Sequence, residues 1–85
     1  MAVPMNVTVR LFAAYREAFE QSELALSIPV GTTVQQVQQL LIQRKPQLSR
    51  WQDQTRYGVN QAFVDPQTII QAGDEIVFIP PVSGG

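Results

Sequence analysis

Two adjacent glycines, Gly84 and Gly85, stand at the C-terminal end of the sequence, where a free carboxylate would follow them. Glycine makes up about 7% of average protein composition, so such a pair arises by chance in only ~0.5% of chains. Because glycine has no side chain, nothing blocks the approach of an enzyme to the last carbonyl. We expect the Gly85 carboxylate to be the working group. The alternative is a solvated terminus or a truncation scar.

The side chains offer little other chemistry, because the 85 residues include neither cysteine nor histidine. Disulfides, thiolate nucleophiles and Cys-based zinc sites are therefore excluded. The commonest acid–base residue and metal ligand is also missing. No two carboxylates have a spacing that suggests a joint role. We expect this chain to contain no catalytic centre of its own, no metal and no bound cofactor.

The composition is that of one small globular domain, with 45% hydrophobic and 15% charged residues. Six basic residues against seven acids give a net charge of −1, which provides no counterion-release drive towards nucleic acid. No apolar run approaches the roughly 18 residues of a membrane span, and residues 1–4 lack the features of a signal peptide. These absences predict a cytoplasmic protein that binds neither membranes nor nucleic acid.

Alternating apolar residues predict two strands in the first third of the chain. The first set is Met5, Val7, Val9 and Leu11, and the second is Leu24, Leu26, Ile28 and Val30. Between them, residues 13–21 are rich in helix formers but lack a clean period, which predicts a short helical turn or loop. We expect the two strands to pair antiparallel.

The clearest helix begins after Thr33, which can form a capping box with Gln36. Cations near the C-terminus suit the helix dipole, and Pro46 prevents continuation. The apolar stripe comprises Val34, Val37, Leu40 and Leu41. The outer face is assigned to Gln35, Gln36, Gln38, Gln39 and Gln43.

The second half of the chain has weaker patterns. Residues 47–56 predict a loop with at most one helical turn, in which Leu48 and Trp51 pack on the core. Residues 57–64 predict one short strand, residues 68–70 a brief strand, and residues 72–74 a turn. Residues 75–79 form the final strand. It is apolar on both faces, which is typical of a central strand or of one that meets a partner.

The predicted order is therefore β-β-α-loop-β-β, an α+β fold with a mixed sheet and one main helix packed on one face. The last strand most economically lies beside the first and parallel to it. This arrangement is the β-grasp, or ubiquitin-like, fold. We assign residues 1–79 to this domain and residues 80–85 to an extended, flexible C-terminal tail.

The tail begins with Pro80 and Pro81, which fix φ near −65° and donate no backbone hydrogen bond. They end the sheet and stiffen a segment whose six residues reach at most about 20 Å. That length suffices to insert a carboxylate into a partner's cleft. Adenylation would make the Gly85 carbonyl electrophilic. Attack by an amine would then give a conjugate, and attack by a sulfur donor a thiocarboxylate.

Sequence motifs along nearly the whole chain resemble the MoaD family, the small, sulfur-carrying subunit of molybdopterin synthase. They are Leu-Phe-Ala-Ala-Tyr-Arg-Glu at residues 11–17, Val-Asn-Gln at 59–61, Ala-Gly-Asp-Glu at 72–75 and Phe-Ile-Pro-Pro-Val-Ser-Gly-Gly at 78–85. The C-terminal motif is the most specific, whereas residues 46–56 contribute little. The family lies within the MoaD/ThiS ubiquitin-like superfamily.

This resemblance implies a sulfur carrier of molybdenum cofactor biosynthesis. A MoeB-like adenylyltransferase would use ATP to adenylate Gly85, and a sulfurtransferase or cysteine desulfurase would supply sulfur for the thiocarboxylate. The tail would then enter a MoaE-like large subunit and donate sulfur to cyclic pyranopterin monophosphate. Two carriers serve each product in a heterotetramer. The chain would act as a non-catalytic subunit and sulfur-donating co-substrate.

The candidate site therefore combines the activated residue, the inserted tail and an apolar patch at the base of the tail. The activated residue is Gly85. The inserted tail comprises Pro80, Pro81, Val82, Ser83 and Gly84, and the partner interface comprises Phe12, Phe63 and Ile79. For Phe12 and Phe63, ordinary core packing is an equal alternative.

Three other functions stay open from the sequence. The first is the sulfur carrier of thiamine thiazole synthesis (ThiS-like), which typically lacks the Pro-Pro pair. The second is a ubiquitin-like modifier conjugated to lysines through Gly85, and the third is an interaction module with an inert tail.

Overall fold

The computed structural model describes residues 3–81. In this part of the chain, strands with alternating apolar residues form one sheet, and three helical segments accompany it. The elements are β1 (Pro4–Leu11), α1 (Ala13–Phe19), β2 (Glu23–Pro29), α2 (Val34–Arg44), a 3₁₀ helix (Pro46–Gln54), β3 (Arg56–Val59), β4 (Ala62–Val64) and β5 (Glu75–Ile79).

The described strands form a mixed sheet in the order β2-β1-β5-β3-β4. β1 pairs antiparallel with β2 and parallel with β5, as predicted. β5 also pairs antiparallel with β3, so it is the central strand. The sheet order, the parallel β1–β5 pair and the main helix α2 confirm the predicted β-grasp arrangement.

The core lies on one face of this sheet. Val9, Ile76 and Phe78 are fully buried there, and the rings of Tyr15 and Tyr57 pack on Phe78 with centroid separations of 5.7 and 5.8 Å. Leu48 of the 3₁₀ helix is also buried, and Trp51 packs against the core, as the sequence predicted. The segment that carries them is a nine-residue 3₁₀ helix and not a loop.

The N-terminus of α2 confirms the predicted capping box. The Gln36 backbone N–H donates to Thr33 Oγ1 over 3.2 Å, and the Thr33 N–H donates to Gln36 Oε1 over 2.9 Å. The predicted faces of the helix are wrong at two positions. Gln38 is fully buried whereas Leu40 is exposed, because the buried side of the helix includes a polar contact that an apolar count cannot find.

Three other predictions need correction. Residues 13–21 contain a regular helix, α1, which ends where Glu20 adopts a left-handed conformation (φ 56°). Residues 57–64 form a hairpin of two strands and not one strand, because the chain reverses at Asn60 and Gln61. The expected strand at 68–70 is reduced to a single bridge between Ile69 and Thr33.

Candidate functional site

The sheet face opposite the core, called the outer face here, is defined by the strand register. The core-facing residues of β5 are Ile76 and Phe78, so Glu75, Val77 and Ile79 point to the other side. Their register partners complete the outer face: Thr8 and Arg10 on β1, Arg56 and Gly58 on β3, and Phe63 on β4. The two apolar faces of the last strand therefore separate into a core face and a half-exposed outer face.

An apolar groove lies where the outer face meets the start of the tail. Its volume is about 780 Å³, and its apolar lining comprises Phe12, Ala13, Ala14, Trp51, Val77, Ile79, Pro80 and Pro81. Phe12 is 44% exposed and Ile79 is half-buried, so neither belongs wholly to the core. This groove, called the tail-base groove below, brings Phe12 and Ile79 together with Pro80 and Pro81.

Charged side chains border the tail-base groove. Arg10 and Glu75 stand opposite Val77 and Thr8 in the register and approach each other to 3.9 Å between Arg10 Nη1 and Glu75 Oε2. Both side chains are substantially exposed, so this pair contributes little to stability. The apolar floor with a polar rim is the arrangement found in protein-binding surfaces.

Phe63 belongs to the outer face but not to the tail-base groove. It is 70% exposed on the edge strand β4, and the Arg56 guanidinium lies 5.9 Å from its ring centroid. It borders a separate concavity of about 480 Å³ with Tyr57 and Pro66. Arg56 stands opposite Ile79 in the register, so it links the Phe63 end of the face to the groove.

The β3–β4 turn is fixed to the start of β5 by one side chain. Asn60 Nδ2 donates to Asp74 Oδ1 over 2.8 Å, and its Oδ1 accepts the Glu75 N–H over 3.0 Å. Its backbone N–H also donates to the Glu75 carbonyl. Asn60 (φ 51°) and Gln61 (φ 71°) both lie in the left-handed region, which asparagine tolerates well. The Asn60 contacts thus set the position of the hairpin that carries Gly58 and Phe63.

Beneath the groove, a chain of buried hydrogen bonds connects the helices to β3. Tyr57 Oη donates to Gln38 Oε1 over 2.6 Å, and Gln38 Nε2 donates to Tyr15 Oη over 2.9 Å. Tyr15 Oη lies 2.9 Å from Thr55 Oγ1, which in turn donates to the Trp51 carbonyl over 2.7 Å. Every buried side-chain nitrogen and oxygen within residues 3–81 has a partner, so this network is complete.

The network has two consequences. Gln38 and Thr55 hold the backbone carbonyls of Gln52 and Trp51, which fixes the 3₁₀ helix that forms one wall of the groove. Burial, with smaller contributions from Tyr15 and Asp53, also raises the pKa of Tyr57 above its ordinary 10.0. The phenol therefore stays a neutral donor to Gln38.

The predicted activated residue Gly85 and the tail residues Gly84, Ser83 and Val82 lie outside the described residues. Between residues 3 and 81, no helix is long and apolar enough to cross a membrane. The same residues contain no cluster of carboxylates that could hold a metal ion.

Sequence reasoning missed several residues of this surface. Trp51 was placed on the core, but its ring also lines the tail-base groove, where the Arg50 guanidinium lies 4.9 Å from it. Val77 was not assigned to the interface, although the two-sided apolar pattern of β5 is a signal that could have indicated it. Gly58 is a lone glycine inside a strand, which is a local signal that the sequence reasoning overlooked. Gln38 lies behind this surface, and nothing in the local sequence indicates its burial.

Comparisons with known proteins place the chain among its relatives. The profile of the ThiS family matches residues 9–85. The molybdopterin synthase sulfur carrier subunit of Mycobacterium tuberculosis is 34% identical, over 95% of this chain and 99% of the relative. The human protein of the same name is 33% identical, over 98% and 99%.

Solved structures agree on the fold. SAMP1 from Haloferax volcanii superposes with a TM-score of 0.80 at 26% identity, over 94% of this chain and 99% of that protein. A complex of subunits 1 and 2 of the molybdopterin-converting factor from Helicobacter pylori contains a chain with a TM-score of 0.62 at 27% identity, over 95% and 100%. Given the family profile and these full-length relatives, the chain belongs to the ThiS family and is similar to the sulfur carrier subunits of molybdopterin synthase.

Proposed function

We propose that this protein is the sulfur carrier subunit of a molybdopterin synthase, with the Gly85 carboxylate as the group that receives and delivers sulfur. The observation that carries the proposal is the tail-base groove. It joins Phe12 and Ile79, which the fold leaves exposed or half-exposed, to the two prolines from which the tail departs. A partner that covers this groove would receive the tail at the same time.

The large synthase subunit is the partner that these features favour. In the Helicobacter pylori structure, a similar chain is in complex with subunit 2 of the molybdopterin-converting factor. The outer face presents an apolar strip with charged residues at its border, as docking surfaces do. An adenylyltransferase could use the same strip in turn, because both partners must reach the tail.

The proposed chemistry takes place in two steps on partner enzymes. In the first, a Gly85 carboxylate oxygen attacks the α-phosphorus of ATP, which releases pyrophosphate and leaves an acyl-adenylate. The terminal sulfur of a sulfurtransferase persulfide then attacks the carbonyl carbon and displaces AMP, and two equivalents of a thiol reduce the resulting acyl disulfide to the thiocarboxylate. In the second step, the thiocarboxylate sulfur attacks a carbon of cyclic pyranopterin monophosphate and displaces an oxygen substituent from it, which gives a thioester between the carrier and the pterin. Water then hydrolyses this thioester at the Gly85 carbonyl, which restores the carboxylate and leaves the sulfur on the pterin.

A protein modifier is the second candidate, and a specific observation favours it. The similar protein from Haloferax volcanii, SAMP1, is the small archaeal modifier protein 1 of that organism. Modification would use the same acyl-adenylate but would end in an amide bond to a lysine. A thiazole sulfur carrier shares the first step and differs in the acceptor.

The test is the intact mass of the chain after co-expression with the activating enzyme and sulfurtransferase of its host. We expect one terminal oxygen to be replaced by sulfur. The thiocarboxylate form, incubated with the large subunit and cyclic pyranopterin monophosphate, should then produce molybdopterin.

The control is a chain that lacks Gly85. It should unfold at the same temperature as the full chain, because the described core ends at Phe78, and it should gain no sulfur. Recovery of only unmodified protein or lysine adducts would contradict the carrier function. A thiocarboxylate that yields no molybdopterin would favour the thiazole pathway.

A further inference from the structure

Gly58 is a glycine that the fold does not require. It lies inside β3, in unbroken register with Phe63 on β4 and Val77 on β5, so it does not mark a bulge. It is not among the described glycines with positive φ, which are Gly31 and Gly73. A glycine inside a strand weakens it, and where no bulge or bend accounts for it, it often marks a close approach by another molecule.

The space at Gly58 would accept a side chain. A Cβ built there meets only the Ala62 carbonyl oxygen and Val77 Cβ, both at 3.6 Å, which is ordinary van der Waals contact. Gly58 is buried between the neighbouring strands, but no atom crowds the direction in which its side chain would point. Neither backbone conformation nor packing within the chain accounts for the glycine.

The position of Gly58 on the sheet offers an explanation for the glycine. It lies on the outer face, between the exposed ring of Phe63 and the half-buried Val77 that lines the tail-base groove. Because Gly58 has no side chain, no Cβ stands between Phe63 and Val77 at this position in the register. A larger residue at position 58 would place its side chain between Phe63 and Val77.

We propose that Gly58 is a specificity-determining contact, at which an apolar side chain of the large synthase subunit lies directly against the β3 backbone between Phe63 and Val77. This inference rests on the proposed function. A well-packed apolar contact near the centre of an interface is where binding energy concentrates. A side chain at Gly58 would hold the partner away from both neighbours.

The test compares Gly58→Val and Gly58→Ala with the wild-type chain, by calorimetric titration against the large subunit and by thermal unfolding. We expect Gly58→Val to weaken binding at least about tenfold, equivalent to about 1.4 kcal/mol. Gly58→Ala should raise the unfolding temperature by about 2–8 °C, because alanine is favoured over glycine inside a strand. The alanine Cβ makes only ordinary contacts, so this variant shows whether the chain itself tolerates a side chain at this position.

Ala25→Val is the matched control. Ala25 is exposed on the same sheet face, opposite Thr8, but it lies on β2 at the far edge, so its variant should bind like the wild type. Unchanged binding of Gly58→Val, or a lower unfolding temperature for Gly58→Ala, would overturn the inference. Failure of the wild-type chain itself to bind would overturn the proposed function, and this inference with it.

Discussion

Gln38 is a polar residue that the pattern of α2 assigns to the exposed side of the helix but that the structure buries completely. An amide offers two donors and an acceptor, and at Gln38 these meet both tyrosines and the Gln52 carbonyl. The cost of burial is therefore offset by complete hydrogen bonding. The wall of the tail-base groove depends on this residue, although Gln38 itself is not among the residues that line the groove.

Tyr57 allows this network to be tested through pH. Burial raises its pKa above 10.0, so the folded state favours the neutral phenol. The resulting stability is fully present below pH 10.0 and is lost as the pH rises through the raised pKa. We expect the free energy of unfolding of the wild-type chain to fall more steeply above pH 10.0 than that of Tyr57→Phe. Urea titrations followed by Trp51 fluorescence would measure both.

Tyr57→Phe should also be less stable at neutral pH, by about 1–3 kcal/mol, because Gln38 Oε1 loses its donor. If the unfolding free energies of the wild-type chain and of Tyr57→Phe fall in parallel across the alkaline range, the pKa of Tyr57 is not raised by burial.

Among the elements, the β3–β4 hairpin contributes most to the shape and composition of the outer face. It adds Gly58 and Phe63 to a face that β1 and β5 would otherwise present alone. Its position depends on a turn in which two non-glycine residues adopt positive φ and on the Asn60 hydrogen bonds to Asp74 and Glu75.

Asn60→Gly should therefore destabilise the hairpin without straining its backbone. Glycine accepts the positive φ of Asn60 but loses both side-chain hydrogen bonds, for which we expect a loss of about 1–2 kcal/mol in unfolding free energy. Gln61→Gly is the matched control, since it adds the same chain entropy and, among the described contacts, breaks no side-chain hydrogen bond. Equal urea midpoints for the two variants would rule out the Asn60 contacts as the cause.

The sheet has two ends, and only one of them carries the tail-base groove. β1 and β5 run parallel towards the tail-base groove, whereas β2 returns to the opposite end, where Val3, Val30 and Ile69 are exposed. Exposed apolar residues thus occur at both ends, but Pro80 and Pro81, where the predicted tail begins, lie at only one of them.

This difference predicts where substitutions affect binding. Phe63→Ala should weaken binding to the large subunit about tenfold or more, as aromatic anchors do, and should leave stability nearly unchanged because the ring is 70% exposed. Val30→Ser, at a residue that is 62% exposed, should change neither property. The dissociation constants of both variants for the large subunit would show which end of the molecule the partner binds. A larger effect of Val30→Ser than of Phe63→Ala would contradict docking at the tail-base groove.

The sequence predicts those structural elements well that depend only on residues close together in the chain. The alternation in β1 and β2, the capping box at Thr33 and the two-sided β5 strand all follow from neighbours within a few residues. The predicted antiparallel and parallel pairs then follow from general rules of chain connection. The C-terminal motif, with its proline pair and two glycines, identifies the family without any coordinates.

Other features depend on contacts between distant residues, and only the tertiary structure decides them. Gln38 is buried because residues 19 and 23 positions away complete its hydrogen bonds. Phe12, Trp51 and Ile79 border one groove although they are far apart in the chain, and Gly58 matters only because strand register places Phe63 beside it. The sequence alone thus determined β1, β2, α2 and β5 and the chemistry expected at Gly85. Long-range packing decided which residues meet in the tail-base groove, because no local pattern records contacts between distant parts of the chain.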